Sequence, residues 1–244
     1  MNRRWLPAGL VFVLVACAEQ VERSDLLPPP AVSNAGPDDE SATLVPFITE
    51  GAADRGHLAV GLLQSGSAAC SATLVGQRAV LTAGHCLHGG QTTFTIGGQR
   101  FAAAELIRHP SYAGGNRNDI AVVMLAESVG GVAPSAINAQ PVEVGMAITL
   151  VGFGNTGERS GDFGTKRMGN NTIAEVGPTT FGFAGQSNVC NGDSGGPTFI
   201  VRDGEEQVAG VHSTKSGFCG HGGTDMRVDA YLRWLQEVTG GDLT

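Results

Sequence analysis

From Ile48 onward the chain sets short apolar runs between glycine-rich breaks. HLAVGLL (57–63), SATLV (71–75), RAVLTAG (78–84), TTFTIGG (92–98), DIAVVML (119–125), MAITLVGFG (146–154), TFIVRDG (198–204) and QVAGVHS (207–213) follow this rhythm. Runs this short, closed by turn residues, predict strands, and their spacing predicts an all-β sandwich or barrel rather than a βαβ fold. One stretch breaks the pattern. In MRVDAYLRWLQEV (226–238), Val228, Tyr231, Leu232, Leu235 and Val238 fall at helical spacing, which predicts a packing helix rather than a functional site. Residues 18–47 are rich in Pro, Ser and acids and carry no period, so they read as a linker or pro-segment. A flexible segment of about 30 residues reaches about 30 Å.

Composition agrees with this picture. Of 244 residues 41% are hydrophobic, only 16% are charged, and 37 are Gly, as suits a β-rich chain with many turns. A net charge of −8 argues against a nucleic-acid binder, which would present a basic face. The N-terminus carries Arg3 and Arg4 and then an apolar stretch, Leu10–Ala16. It is too short to span a bilayer and matches a secretory signal over residues 1–16. It ends in Leu14-Val15-Ala16-Cys17, which resembles the bacterial lipobox, whose cysteine is acylated; an ordinary signal peptide that happens to contain a cysteine is the plainer alternative. The cysteines are Cys17, Cys70, Cys86, Cys190 and Cys219. Lipidation of Cys17 would remove the odd one and leave four for two disulfides in an oxidising compartment, with three pairings open.

Three pieces hold residues with chemistry in them. LTAGHC carries His85, NDIAVVML carries Asp119, and VCNGDSGGPTF carries Ser194 in a stretch poorly suited to helix or strand. A serine hydroxyl is a weak nucleophile. It needs an imidazole to take its proton, and the imidazole needs a carboxylate to fix its tautomer. His, then Asp, then Ser is one of the known triad orders. His57, His88 and His109 lack such a context and read as structural, and no spaced Cys/His cluster suggests a metal.

These motifs resemble the chymotrypsin/trypsin family of serine endopeptidases. LTAGHC is similar to its TAAHC box with Gly84 for Ala, NDIAVVML to its DIAL-type strand, and GDSGGP to its most specific motif. RHPSY, LVGFGNTG and the terminal helix are weaker echoes, and the resemblance covers residues 48–238. It implies an all-β fold of two six-stranded antiparallel Greek-key barrels with a C-terminal helix, in a protease domain over 48–244. It implies Ser194 as nucleophile, His85 as base and then acid, Asp119 orienting His85, and Ser213 supporting Asp119. The N–H groups of Gly192 and Ser194 would form the oxyanion hole. It also implies the disulfides Cys70–Cys86 and Cys190–Cys219, and it needs no cofactor. Partners implied are a protein or peptide substrate and an activating protease, with the enzyme a monomer.

The chain departs from the pattern at its specificity pocket. Asn188 stands where an Asp would select Lys or Arg, and Ser213-Thr214-Lys215 stands where the family has Ser-Trp-Gly, while Gly223 matches a wall glycine. His212 and Lys215 beside one pocket would favour an acidic side chain; the alternative is a solvent-facing Lys215 and a pocket for small or medium neutral groups. Activation is implied by cleavage of Phe47–Ile48, freeing an Ile48 amine to pair with Asp193, although Thr49 and Glu50 depart from the usual start. Lipid at Cys17 would then hold only the segment 17–47, so the precursor is expected on the bacterial cell envelope and the protease domain in the medium. The rival reading, from Thr49-Glu50 and Thr214-Lys215, is an inactive or zymogen-locked homologue that binds a protein.

Overall fold

A computed structural model describes residues 48–244 apart from Glu50 and Gln186. The expected signal, the lipidation site Cys17 and the segment 17–47 lie outside the described residues. Strands β1 (Ala52–Ala53), β2 (Val60–Ser65), β3 (Ala68–Leu74), β4 (Ala79–Thr82), β5 (Thr92–Ile96), β6 (Gln99–Arg108) and β7 (Ala121–Leu125) make up the first half. Then come β8 (Ala136–Ile137), β9 (Ala147–Gly152), β10 (Arg167–Thr172), β11 (Glu175–Val176), β12 (Thr180–Phe183), β13 (Pro197–Arg202), β14 (Glu205–Lys215), β15 (Gly223–Arg227) and the helix α1 (Val228–Val238).

In the first half β2-β3-β4-β7-β6-β5 close into a six-stranded antiparallel barrel, with β5 paired back onto β2. Strand alternation explains its core: Thr92, Phe94 and Ile96 of β5 point inward and the residues between them do not. The second half is a nine-stranded sheet in the order β1-β10-β9-β13-β14-β15-β12-β11, with β8 lying parallel to β14. The six longer strands supply the six that were expected. The two-residue pieces β1, β8 and β11 are added to them, and β1 and β11 end an open path.

One apolar core runs from the barrel through Val151, Phe199, Val208, Val211 and Met226 to Val228, Tyr231 and Leu235 of α1. A second lies within the larger sheet around Ile48, Leu150, Phe181, Phe183, Val189 and Ile200. The helix is where its periodicity puts it, with Val228, Tyr231 and Leu235 buried and Leu232 and Val238 half-buried. Among the described residues no helix is long and apolar enough to cross a membrane.

Candidate active site

His85 lies in a short 3-10 turn, Gly84–Cys86, just after β4, and Asp119 lies just before β7, which pairs with β4. The ladder therefore brings the two together. His85 Nδ1 is 2.7 Å from Asp119 Oδ2, and the His85 backbone N–H donates to Asp119 Oδ1 at 2.7 Å. Ser213 Oγ donates to Asp119 Oδ2 at 2.6 Å. Asp119 is fully buried. An ionised carboxylate only accepts, so the ring proton on this edge sits on Nδ1 and Nε2 is the basic nitrogen. Asn118, the residue before Asp119, has φ 50, a left-handed conformation that Asn tolerates. Its side chain is tied at both ends: Nδ2 donates to the Ser111 carbonyl at 3.1 Å and Oδ1 accepts from Tyr231 Oη at 2.9 Å. The helix expected only to pack thus steadies the residue that aims Asp119. A polar residue at a strand entrance was the only sequence signal for this.

Ser194 and Ser213 line one cleft with Val189, Cys190, Asn191, His212, Thr214, Lys215 and Gly217, ≈ 370 Å³ in volume. Through Ser213 the cleft meets the carboxylate behind His85. No hydrogen bond joins the Ser194 hydroxyl to His85; such contacts often tighten only around substrate. Both disulfides form as implied, Cys70–Cys86 behind the His85 turn and Cys190–Cys219 from the serine loop to the cleft wall. Cys70, Cys86 and His85 cluster closely, but both sulfurs are spent in the disulfide and cannot bind a metal. Gly192 has φ 97, and a Cβ there would lie 2.5 Å from the ring of Phe163. Only glycine fits, and Phe163, which the sequence did not single out, covers it.

Asp193 is fully buried and turns away from the cleft. Its Oδ1 accepts the Gly154 N–H at 2.8 Å and its Oδ2 the Cys190 N–H at 2.9 Å. A Cβ at Gly152 or Gly154 would strike this carboxylate at 2.1 and 2.5 Å, which gives the LVGFG glycines their reason. Burial pushes the Asp193 carboxyl up to about 6, against the pull of His212, the two N–H groups and Arg167. Ile48 is buried beside this loop in the second core, with φ 49. Thr49 pairs with Asn188: the Asn188 N–H donates to the Thr49 carbonyl at 3.1 Å, and Thr49 Oγ1 donates to the Asn188 carbonyl at 3.0 Å.

The Asn188 side chain is fully buried, and its Nδ2 donates to the carbonyls of Gly185 (2.9 Å) and Gly220 (3.2 Å). His212 is buried with Nδ1 3.1 Å from both oxygens of Asp225, which also accepts from Thr198 Oγ1. Burial alone would lower the His212 pKa, but Asp225, together with Asp193 and the Val151 backbone, outweighs it and holds the ring's affinity for a proton above the usual value. Lys215 Nζ donates to Glu158 Oε1 at 2.6 Å and to the Gly217 carbonyl at 2.9 Å, and the Cys219 N–H reaches the same Glu158 oxygen at 2.9 Å. A Cβ at Gly223 would meet the Phe183 ring at 2.6 Å and Val189 at 2.7 Å. The space that this glycine opens is therefore taken by Phe183. Glu158 and Phe183 act on partners remote in the sequence, Lys215 and Gly223, so no local signal marked them.

Of the other histidines, His57 has Nδ1 3.1 Å from Asp54 Oδ1. This is a second His–Asp pair, but its Nε2 faces Glu206 Oε2 at 3.3 Å rather than a serine, and its ring stacks on Phe199. His109 packs edge-on to Tyr231 and Trp234, and the His88 N–H donates to Ser65 Oγ.

A closed six-stranded barrel, a second sheet and one terminal helix make a chymotrypsin-like fold. The mouse serine protease neuropsin, expressed in the limbic system of the brain, superposes with a TM-score of 0.70 at 24% identity, over 78% of this chain and 99% of that one. The trypsin family profile matches residues 48–235, and the chain belongs to that family. It is 27% identical over 206 residues to serine protease SP24D of Anopheles gambiae, covering 72% of this chain and 74% of that protein. It is 30% identical over 204 residues to trypsin 5G1 of Aedes aegypti, covering 70% and 75%. The protein is a serine endopeptidase that acts on protein or peptide substrates.

Proposed function

We propose that Ser194, His85 and Asp119 cut peptide bonds through an acyl-enzyme. His85 Nε2 takes the Ser194 proton as Oγ attacks the scissile carbonyl. The N–H groups of Gly192 and Ser194 hold the resulting oxyanion. His85 then returns the proton to the leaving amine, and a water repeats the cycle to free Ser194. The observation that carries this reading is the Asp119 carboxylate. His85 Nδ1, the His85 N–H and Ser213 Oγ all converge on it within 2.7 Å. An organophosphonate should label Ser194 in the mature wild type and leave Ser194→Ala unlabelled. Absence of label in the mature protein would favour the protein-binding homologue instead.

The cleft suits a small, neutral side chain before the scissile bond. No carboxylate is among its lining residues, and the Asn188 amide beside it is committed to two backbone carbonyls. The two basic groups nearby already have acidic partners, His212 in Asp225 and Lys215 in Glu158. A peptide library should show cleavage after small neutral residues; a preference for Lys, Arg, Asp or Glu would overturn this. Glu158→Gln, which frees Lys215, should raise cleavage after Glu several-fold.

Cleavage of Phe47–Ile48 is the activating step. A positive φ is costly for a β-branched residue inside a chain, and an N-terminal Ile48 has no preceding carbonyl to clash with. Its new amine would give Asp193 a cationic partner. The precursor would be held to the envelope through Cys17 and the cut domain released, because every other cysteine lies in the protease domain. N-terminal sequencing of the secreted species should begin at Ile48; active enzyme that starts at a lipidated Cys17 refutes the scheme.

A further inference from the structure

We propose that Ser71 is a positioning residue for the oxyanion hole. Ser71 belongs to β3 of the barrel and is fully buried, remote in sequence from the serine loop. Its hydroxyl accepts the Phe153 N–H at 2.9 Å and donates to the Gly192 carbonyl at 3.0 Å. Its backbone N–H donates to the Ser194 carbonyl at 2.9 Å. One residue thus holds the carbonyls of both residues assigned as oxyanion donors, and ties β9's exit at Phe153 to them.

The geometry of peptide planes makes this matter. The Ser194 N–H belongs to the plane between Asp193 and Ser194. Ser71 fixes the plane before it, through the Gly192 carbonyl, and the plane after it, through the Ser194 carbonyl. Gly192, at φ 97, has no Cβ to resist rotation, so its orientation depends on what its carbonyl bonds. The fit around Ser71 is tight: a Cβ at Gly195 would lie 2.5 Å from the Ser71 carbonyl, and one at Gly196 would lie 3.0 Å from the Ser71 Cβ. Without the hydroxyl, the Gly192 carbonyl and the Phe153 N–H both lose a partner in a buried site, and rotation about Gly192 to recover one turns a donor away from the oxyanion.

This rests on Ser194 being the nucleophile, and the experiment separates the two. Mature wild type, Ser71→Ala and Ser71→Thr are titrated with an organophosphonate and assayed per titrated site, with affinity for a peptide boronate, whose oxygen enters the oxyanion hole, measured alongside. No labelling of wild type defeats the reading of Ser194 itself. With labelling, Ser71→Ala is expected to lower kcat at least about 10-fold, short of the 10²–10³ for outright loss of a donor. KM should move less than about 2-fold and boronate affinity should fall in step with kcat. Ser71→Thr, which keeps the hydroxyl, should stay within about 3-fold of wild type. Should Ser71→Ala not fold, Ser71→Gly removes the same hydroxyl and is read in the same way. Wild-type kcat and boronate affinity per titrated site in the Ala or Gly variant overturn the proposal, as does a Thr variant as impaired as Ala.

Discussion

Asp119 and Asp193 are both fully buried carboxylates, and they are treated in opposite ways. Asp119, at the edge of the barrel, takes three donors, two of them from the side chains His85 and Ser213. Asp193, in the serine loop, takes two backbone N–H groups, and burial pushes it up to about 6. A buried charge is stable only when its partners return what solvation gave. The first carboxylate has side-chain donors among its partners, and the second has backbone N–H groups alone. In the proposed scheme that difference separates the part of the enzyme that is ready from the part that cleavage completes.

The strongest way to break the comparison is at Asp119. Asp119→Asn should keep the fold but present an amide to His85 Nδ1, which favours the wrong tautomer. A loss of about 10⁴-fold in kcat is expected, as for such triads generally, with KM little changed. Steady-state kinetics per titrated site measures it. A loss below about 10-fold would mean that the carboxylate is structural.

Asp193 gives the next largest effect. Its folded pKa, about 6, lies above the ordinary aspartate value of 3.8, so between those values the folded state holds a proton that the unfolded state has released. Stability of the uncut chain should therefore fall as pH rises from about 4 to about 6, then level, the whole change being about 3 kcal/mol. Cleavage before Ile48 should erase or reverse that slope, because the new amine favours the ionised carboxylate. Melting temperature against pH, for uncut and cut protein, is the measurement. Identical profiles would remove Ile48 as the partner, and Asp193→Asn in the uncut chain should flatten its own profile.

The two regions were also unequally legible in the sequence. His85, Asp119 and Ser194 sit in short motifs whose local order is enough to assign them, and the ladder between β4 and β7 then sets their distances. The apolar rhythm marked eight of the strands, β2 to β5, β7, β9, β13 and β14, and the 3.6 period marked α1. What the sequence did not mark is tertiary. Asn118 works through Tyr231, Phe183 fills space opposite Gly223, Glu158 neutralises Lys215, and Ser71 reaches a carbonyl 121 positions away. Each acts on a partner remote in the chain, and no spacing rule connects them. The two-residue strands β1, β8 and β11 were missed because so few residues carry no alternation, and β6, β10, β12 and β15 because their residues mix small, polar and apolar positions without a clear run.

A third test bears on Asn188, which sequence alone would make the lever for tryptic specificity. Asn188→Asp would aim carboxylate oxygen, which donates nothing, at the carbonyls of Gly185 and Gly220 that now accept from Nδ2. The variant should lose about 1–3 kcal/mol of stability and gain no useful cleavage after Lys or Arg. Denaturant unfolding and a peptide library read the two parts. Efficient cleavage after Arg would show that this side chain is free to serve the substrate.

The smallest effect is expected at Gly84, on the finished side of the comparison. A Cβ there would lie 3.2 Å from Asp119 Oδ1 and 3.3 Å from both the Arg108 side chain and the Tyr112 ring. These contacts are tight but not prohibitive. Arg108 is held by its donations to the carbonyls of Gly84 and Leu87, so the crowding has to be shared with Asp119 and Tyr112. Gly84→Ala should gain about 0.4–1 kcal/mol from the restricted unfolded chain and lose a similar amount to this crowding, leaving stability near wild type. Displacing Asp119 by a few tenths of an ångström loosens its hold on His85, so kcat should drop about 2- to 3-fold with KM unchanged, a fraction of the loss expected on removing the carboxylate. An Ala variant with unaltered kcat would show that the Asp119–His85 contact tolerates displacement, and that the barrel side is finished in its bonding without being exacting in its geometry.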